Sequence, residues 1–387
     1  MKPAERMKEI PPSSTIRVLG LAKELERQGK KIINMGIGEP DLDTPPHIKR
    51  AAEDALERGM TKYTTSAGLL ELREAIAEHM GTKGFKTDSK NVLITPGTKH
   101  AIFCAMAATL DPGDEVVIPS PCWTYEAMVR ILGGKPVFVE TTDEKGFKLE
   151  VHNVEEVLSA KTKMLLLNYP NNPTGAVMTR KELRPIAELA VDRDLWVLSD
   201  EIYDCLVYEG EHASILSFPN MTERTIYING FSKAYSMTGW RLGYGIAPAE
   251  LITEMTKVQE ASTSSATSFV QAAGIAALRG SQEFTRKMRD EYRKRRDVIV
   301  KGLSSIKGIS CTKPGGAFYA FPNTKRLGVD SLEFCEILLR EAGVAAVPGN
   351  GFGPYGEGHV RFSYATSMEN IREAITRVKK VAEDIRK

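Results

Sequence analysis

The chain has 387 residues, with 52 Lys+Arg against 50 Asp+Glu and a formal net charge of +2. At 42% hydrophobic and 26% charged residues it has the composition of an ordinary globular protein, long enough for two or three domains and a sizeable core. That balance excludes disordered and collagen-like chains and gives no electrostatic footing for nucleic acid or a membrane surface. The five cysteines (Cys104, Cys122, Cys205, Cys311, Cys335) form no C-x-x-C pair and are odd in number, which argues against a disulfide framework and against a zinc site. Residues 1–9 mix Lys, Glu and Arg without an apolar stretch, and the longest weakly polar run, Ala101 to Leu110, is far short of a membrane span. A cytoplasmic protein is expected.

In chain order, the first predicted element is a helix from Thr15 to Gln28, ended by Gly29. A second runs from Pro46 to Arg58, with proline in its first turn and Gly59 as its stop. A third, Leu69 to Met80, carries Leu69, Leu72, Arg73, Ile76 and Met80 at helical spacing. From there, short aliphatic or β-branched runs alternate with turns and helix-period stretches. The runs are Val92 to Thr95, Glu115 to Pro119, Lys163 to Asn168, Leu195 to Ser199, Thr225 to Asn229 and Leu242 to Ala247. This alternation predicts an α/β fold, a mainly parallel central sheet covered by helices on both faces. After about Phe284 the pattern changes to a long charged helix (Phe284 to Leu303), short strands around Gly316 to Phe321 and Val344 to Pro348, and a helix from Met368. A large domain over 47–283 and a smaller α+β domain built from 1–46 and 284–387 are expected. The basic run Tyr292 to Arg296 is diluted by Glu283, Asp290, Glu291 and Asp297, so it reads as a solvated helix face.

Ligands of open parallel sheets bind beyond the carboxyl ends of the strands. Just past the predicted strands lie Pro96-Gly97-Thr98-Lys99 opening a helix, then Trp123, then Asn171 to Gly175 (N-N-P-T-G), then Asp200 and Tyr203, then Ser232 and Lys233, with Arg241 eight residues on. A glycine turn at a helix N-terminus suits a phosphate, and a nearby guanidinium completes it. Taken singly, each residue has a plainer explanation as helix start, core aromatic, cap or turn. Together at consecutive strand ends, a lysine, a carboxylate, a stacking aromatic and a phosphate cradle are the set that pyridoxal phosphate requires. No G-x-G-x-x-G follows the first strand of this run, which leaves a dinucleotide site without support.

Gly230 to Gly243 (G-F-S-K-A-Y-S-M-T-G-W-R-L-G) resembles the pyridoxal-lysine signature of class I aminotransferases. The resemblance extends over essentially the whole chain through Gly36 to Asp41 (G-x-G-E-P-D), Lys62-Tyr63, P-G-T-K, N-N-P-T-G, Ser199 to Tyr203 (S-D-E-I-Y), Gly316 to Tyr319 (G-A-F-Y) and Val360 to Ala365 (V-R-F-S-Y-A). It implies fold type I, pyridoxal 5′-phosphate as cofactor, and a two-step exchange between an amino acid and a 2-oxo acid. By similarity, Lys233 bonds the cofactor and moves the proton, Asp200 pairs with the ring nitrogen, Trp123 stacks on the ring, and Asn172 and Tyr203 bind its phenolic oxygen. Gly97, Thr98, Lys99, Ser232 and Arg241 fall to the phosphate, and Arg361, helped by Asn172 and the Gly38 N–H, to the substrate α-carboxylate. Tyr63 would reach the phosphate of a neighbouring subunit, implying a homodimer with shared sites. One departure is that Gly230 stands where some subgroups place a hydroxyl residue on the phosphate.

The subgroup most similar is the aspartate aminotransferases that read the distal carboxylate through a lysine, here Lys99, assisted by a threonine, here Thr15 in Pro12 to Ile16. Aspartate with 2-oxoglutarate is the expected pair; aromatic amino acids and prephenate are the alternatives. A carbon–sulfur β-lyase could use the same lysine, aspartate and arginine. A regulator built on this body would need a DNA-binding module, and only 35 residues precede Gly36.

Overall fold

The structure is a computed structural model that describes residues 2, 4–10 and 14–387, with the side chains of residues 14–16 and 19 left out. The side chain of Thr15 therefore lies outside what is described. Twelve strands are present among the described residues. The first, β1 (Ile33–Asn34), is followed by the seven of the central sheet: β2 (Val92–Thr95), β3 (Glu115–Ser120), β4 (Lys135–Glu140), β5 (Thr162–Asn168), β6 (Trp196–Asp200), β7 (Thr225–Gly230) and β8 (Gly243–Ile246). Then come β9 (Tyr319–Ala320), β10 (Val344–Ala345), β11 (Val347–Pro348) and β12 (Val360–Ser363).

The central sheet has the order β2-β8-β7-β6-β5-β3-β4. Its adjacent pairs are parallel except those of β8, which is antiparallel to both β2 and β7. Strands β2, β3 and β7 are buried at every position, as expected where helices cover both faces. Alternate residues serve opposite cores. Val117, Leu165 and Val197 pack with Ile186 and Ala190 on one face, while Val116, Met164 and Leu198 pack with Ala101, Ala105 and Met255 on the other.

Helix starts are specified locally. Helix Arg180–Asp192 opens on a capping box in which the Thr179 and Glu182 side chains bond each other's backbone N–H. Asp330 caps Ser331–Ala342, and Ser367 caps Met368–Ile385. The chain ends pack together. Strand β1 pairs with β10, and a core containing Val18, Ile33, Met288, Phe334, Phe362 and Ile371 also takes in Ile202, Tyr203 and Leu206 from just beyond β6. A three-stranded antiparallel sheet, β11-β12-β9, carries Arg361 and Tyr319.

Two details differ from expectation. Strand β4 is an additional edge strand, and the single strand expected at 344–348 is two strands in different sheets. In the first case K-P-V-F-V-E is polar at both ends because only one of its long edges is paired. In the second, Ala346 separates a pairing with β1 from a pairing with β12. Among the described residues no helix is long and apolar enough to cross a membrane.

Behind β6 lies a buried polar cluster. Glu201 accepts from Ser214 Oγ (2.6 Å) and Ser199 Oγ (2.9 Å), and its other oxygen is 2.5 Å from His212 Nε2. Asp204 pairs with Lys83 and accepts from Asn229. Burial alone would lower the His212 pKa, but the Glu201 and Asp204 carboxylates overcome it and raise the pKa above its usual value. A raised basic pKa stabilises the fold fully below the unfolded value of 6.5, and this contribution fades as pH rises through the folded value. His212→Ala should therefore cost on the order of 3 kcal/mol at pH 6 and clearly less at pH 9, read from urea unfolding at both. A cost that grows with pH would contradict the ion pair.

Candidate active site

Because the parallel strands point one way, the residues following β2, β3, β5, β6 and β7 emerge on one edge and wall a cleft of about 1750 Å³. Arg241 reaches the same edge for the opposite reason. It precedes β8, the antiparallel strand, whose first residue Gly243 pairs with both Thr95 and Gly230. In an all-parallel sheet it would stand at the far edge.

Thr95 Oγ1 donates to the Gly97 carbonyl (2.9 Å), and Gly97, at φ +81°, turns the chain into helix Thr98–Thr109. A Cβ on Gly97 would collide with the Arg241 guanidinium, and one on Gly243 would collide with the Gly97–Thr98 backbone. Gly230 is equally confined, since its Cβ would meet Gly243 Cα at 2.9 Å and Thr98 Cγ2 at 3.0 Å. This packing explains why no hydroxyl residue stands at 230.

Lys233, in the short helix Phe231–Ala234 after β7, points its Nζ to the Gly38 carbonyl at 2.5 Å, with the Phe318 and Tyr203 rings 5.8 and 6.0 Å away. Burial, reinforced by Arg361 and Arg241 and opposed by Glu39 and Asp200, lowers its pKa to about 8. Asp200 ends β6. Burial raises its pKa to about 6 even though the Tyr125 hydroxyl (2.7 Å) and Ile202 N–H (3.3 Å) donate to the carboxylate.

Asn168, at the end of β5, ties two strand ends together. Its Nδ2 donates to the Asp200 carbonyl (3.0 Å), and its Oδ1 accepts from Asn172 N–H (3.0 Å). Asn172 Oδ1 in turn accepts from Arg361 Nη1 (2.8 Å), while Arg361 Nη2 donates to the Gly36 carbonyl (2.7 Å). The Arg361 guanidinium is buried between the Tyr319 and Phe352 rings, at 4.5 and 5.0 Å, and its Nε has no hydrogen-bond partner. Lys99 Nζ lies 4.6 Å over the Trp123 ring, and Arg241 Nη1 donates to the Thr238 carbonyl (2.8 Å). Partial burial and Arg241 lower the Lys99 pKa.

Gly38, Thr98, Lys99, Trp123, Asn172, Asp200, Tyr203, Ser232, Lys233, Arg241 and Arg361 thus face one cleft, with Gly97 in the turn behind it. Tyr63 does not face it and stands 89% exposed elsewhere. Two tyrosines that the sequence did not single out also line the cleft. Tyr125, the Asp200 donor, meets Trp123 edge to face at 5.1 Å, and the Tyr319 hydroxyl lies 2.8 Å from that of Tyr203. Their only sequence signals are closeness to Trp123 and membership of G-A-F-Y.

The model for class I and II aminotransferases matches residues 30–378. The chain belongs to this family. The aminotransferase is 44% identical to aromatic-amino-acid aminotransferase 2 of Thermococcus litoralis, with 98% of each chain covered. It is also 44% identical to the aspartate/prephenate aminotransferase of Thermus thermophilus, again over 98% of each. The solved structure of Thermus thermophilus aspartate aminotransferase with maleate superposes with a TM-score of 0.93 at 44% identity, covering 98% of this chain and 100% of that one.

The family's cofactor is pyridoxal phosphate, and the cleft suits it. The Gly97 turn leaves a cradle without side chains at a helix N-terminus, and Arg241 and Lys99 turn their charge on neutral partners beside it. A dehydrated lysine and a buried carboxylate face the same space.

Proposed function

We propose that this aminotransferase moves the amino group of L-aspartate to 2-oxoglutarate, with Lys233, Asp200 and Tyr203 as its catalytic residues. The observation that carries the reading is a lysine amine brought to about 8 in one cleft with a buried carboxylate and a buried guanidinium. Pyridoxal phosphate, when bound, supplies a carbonyl that carries the amino group and a ring that stabilises negative charge at the substrate Cα.

Arg361 grips the α-carboxylate with its planar fork, helped by Asn172 and the Gly38 N–H, and so fixes which bond at Cα is broken. Lys233 takes the Cα proton on Nζ; a base whose pKa lies near working pH can both accept and return it. With the cofactor bound, Asp200 would hold a proton on its ring nitrogen and would be ionised beside that charge, although burial alone disfavours the carboxylate. Tyr203, whose phenol is pushed well above its usual pKa by burial, stays protonated and would donate to the cofactor's phenolic oxygen beside Asn172. Trp123 would stack on the ring, and Gly97, Thr98, Ser232 and Arg241 would hold the phosphate.

For the distal carboxylate we take Lys99, a cation of the cleft wall that rests on the Trp123 ring and has no carboxylate partner among the described residues. The name of the Thermus thermophilus relative, for aspartate and prephenate, and the solved Thermus thermophilus structure with the dicarboxylate maleate support an acidic substrate. The Thermococcus relative favours aromatic amino acids as the second reading. The exposure of Tyr63 supports a homodimer in which it completes the partner's phosphate site. We also read the chain as two domains, 47–283 and the joined ends 1–46 and 284–387, in the cytoplasm.

Lys99→Ala should lower kcat/KM for aspartate by about 10- to 100-fold, as expected for a lost charge-assisted bond, and spare alanine. Equal losses would assign Lys99 to the phosphate alone. The same panel decides among the rivals, since a wild-type preference for tyrosine or phenylalanine, or pyruvate and sulfide released from cysteine without an oxo acid, would displace aspartate. Mixing inactive Tyr63 and Lys233 variants should regain part of the activity through hybrid dimers. No recovery after demonstrated subunit exchange would remove Tyr63 from a shared site.

A further inference from the structure

Tyr319 is a buried tyrosine on β9, 1% exposed, on which three functional groups converge. Its hydroxyl is 2.8 Å from the Tyr203 hydroxyl. The Arg361 guanidinium lies 4.5 Å over its ring. The hydroxyl also abuts Gly38, where a Cβ would come within 2.6 Å of it, and the Gly38 carbonyl is the acceptor that holds Lys233 Nζ. The rings of Tyr203 and Tyr319 meet edge to face at 5.8 Å, and Phe318 packs against both, at 5.6 and 4.7 Å, so neither ring is free to turn away.

One hydrogen bond between two hydroxyls uses one proton and leaves the other to be placed. Burial pushes both phenols above their usual pKa, so both keep their protons at ordinary pH. The direction follows from what each oxygen can reach. Among the described residues the Tyr203 hydroxyl is the one polar partner of the Tyr319 hydroxyl, and a buried proton without an acceptor is costly. Tyr203 also lies beside Asp200 and Lys233 in the cleft and can send its proton there. The nearby Arg361 cation partly offsets the effect of burial on both phenols, so the direction rests on what each oxygen can reach.

We propose that Tyr319 is a positioning residue: it donates to the Tyr203 oxygen, turns the Tyr203 proton toward an oxyanion in the cleft, and joins that donor to the guanidinium of Arg361. The proposal rests on the reading of the cleft as a pyridoxal phosphate site, and it extends that reading to Tyr319, a member of G-A-F-Y to which the sequence assigned no role. A chain of donations from Tyr319 to Tyr203 to an oxyanion strengthens each successive bond, because a hydroxyl that accepts becomes a better donor. The ring and the hydroxyl of Tyr319 then do separable work. The ring supports Arg361, and the hydroxyl supports Tyr203.

Tyr319→Phe keeps the ring and removes the hydroxyl. In the protein reconstituted with pyridoxal phosphate, this variant should bind the cofactor about 3- to 10-fold more weakly, read by quenching of tryptophan fluorescence. The pH midpoint of the bound cofactor's visible band should rise, because a weaker donor stabilises the cofactor oxyanion less. KM for aspartate should stay within about twofold, whereas Tyr319→Leu, which removes the ring beneath Arg361, should raise KM several-fold. A double variant Tyr203→Phe/Tyr319→Phe should lose no more cofactor affinity than Tyr203→Phe alone. An unchanged midpoint and affinity in Tyr319→Phe, or fully additive losses in the double variant, would overturn the proposal. Wild-type protein that neither binds pyridoxal phosphate nor shows a visible band would instead overturn the cleft reading, and the role of Tyr319 would fall with it.

Discussion

Removal of water from Lys233 Nζ, held against the Gly38 carbonyl between the Phe318 and Tyr203 rings, brings its pKa to about 8 and sets the conditions for every other group in the cleft. An environment dry enough to lower a lysine also raises Asp200 to about 6, lowers Arg361, and strengthens any field that these groups direct at a substrate. The fold supplies that dryness from two sources. The sheet edge brings Asp200, Asn172 and Lys233, and the joined chain ends bring Gly38, Tyr319 and Arg361 over them. Asp41 anchors the second source, because Arg295 Nη1 reaches both of its oxygens (2.9 and 2.8 Å) and Tyr292 donates to one of them (3.0 Å). The run Tyr292 to Arg296, expected to be a solvated helix face, instead buries Tyr292, Arg295 and Arg296, and through Tyr292 and Arg295 it fastens the loop that carries Gly36 and Gly38.

Lys233, Arg361, Asp200, Arg241 and Lys99 rest on neutral partners rather than on one another. Arg361 is bonded on two nitrogens by neutral oxygens and lies over two aromatic rings, so its charge is unneutralised by these partners, which fits the proposed grip on a substrate carboxylate. Asp200 has neutral donors on both oxygens and, among the described residues, no cation bonded to it, which fits the proposed pairing with a protonated ring nitrogen. Arg241 and Lys99 rest against a carbonyl and an indole. Ligands thus complete the electrostatics that the protein leaves open.

The buried strands were legible because fully covered parallel strands read as unbroken apolar runs, as in Met164 to Leu167. Strand β4 was not, since its Lys135-Pro136 start and Glu140 end conceal an edge strand whose pairing is set by its neighbour β3. The strand-end rule located Asp200, Asn172 and Lys233 without any knowledge of distance. Arg241 was found by its spacing from Lys233, and the reason it belongs there, the reversed direction of β8, required the sheet. Tyr319 stayed hidden because a tyrosine between Phe318 and Ala320 has the pattern of core packing, and Tyr125, between Thr124 and Glu126, has no pattern that points to a role. Only three-dimensional contact shows that each hydroxyl ends on a functional group.

The most direct test of a lysine and a carboxylate cooperating on pyridoxal phosphate is visible absorption of the reconstituted protein during sequential addition of aspartate and 2-oxoglutarate. The account predicts a stable band that shifts when aspartate is added and returns when 2-oxoglutarate follows. A protein that retains no band after removal of free pyridoxal phosphate, or a band that no amino acid moves, would contradict it.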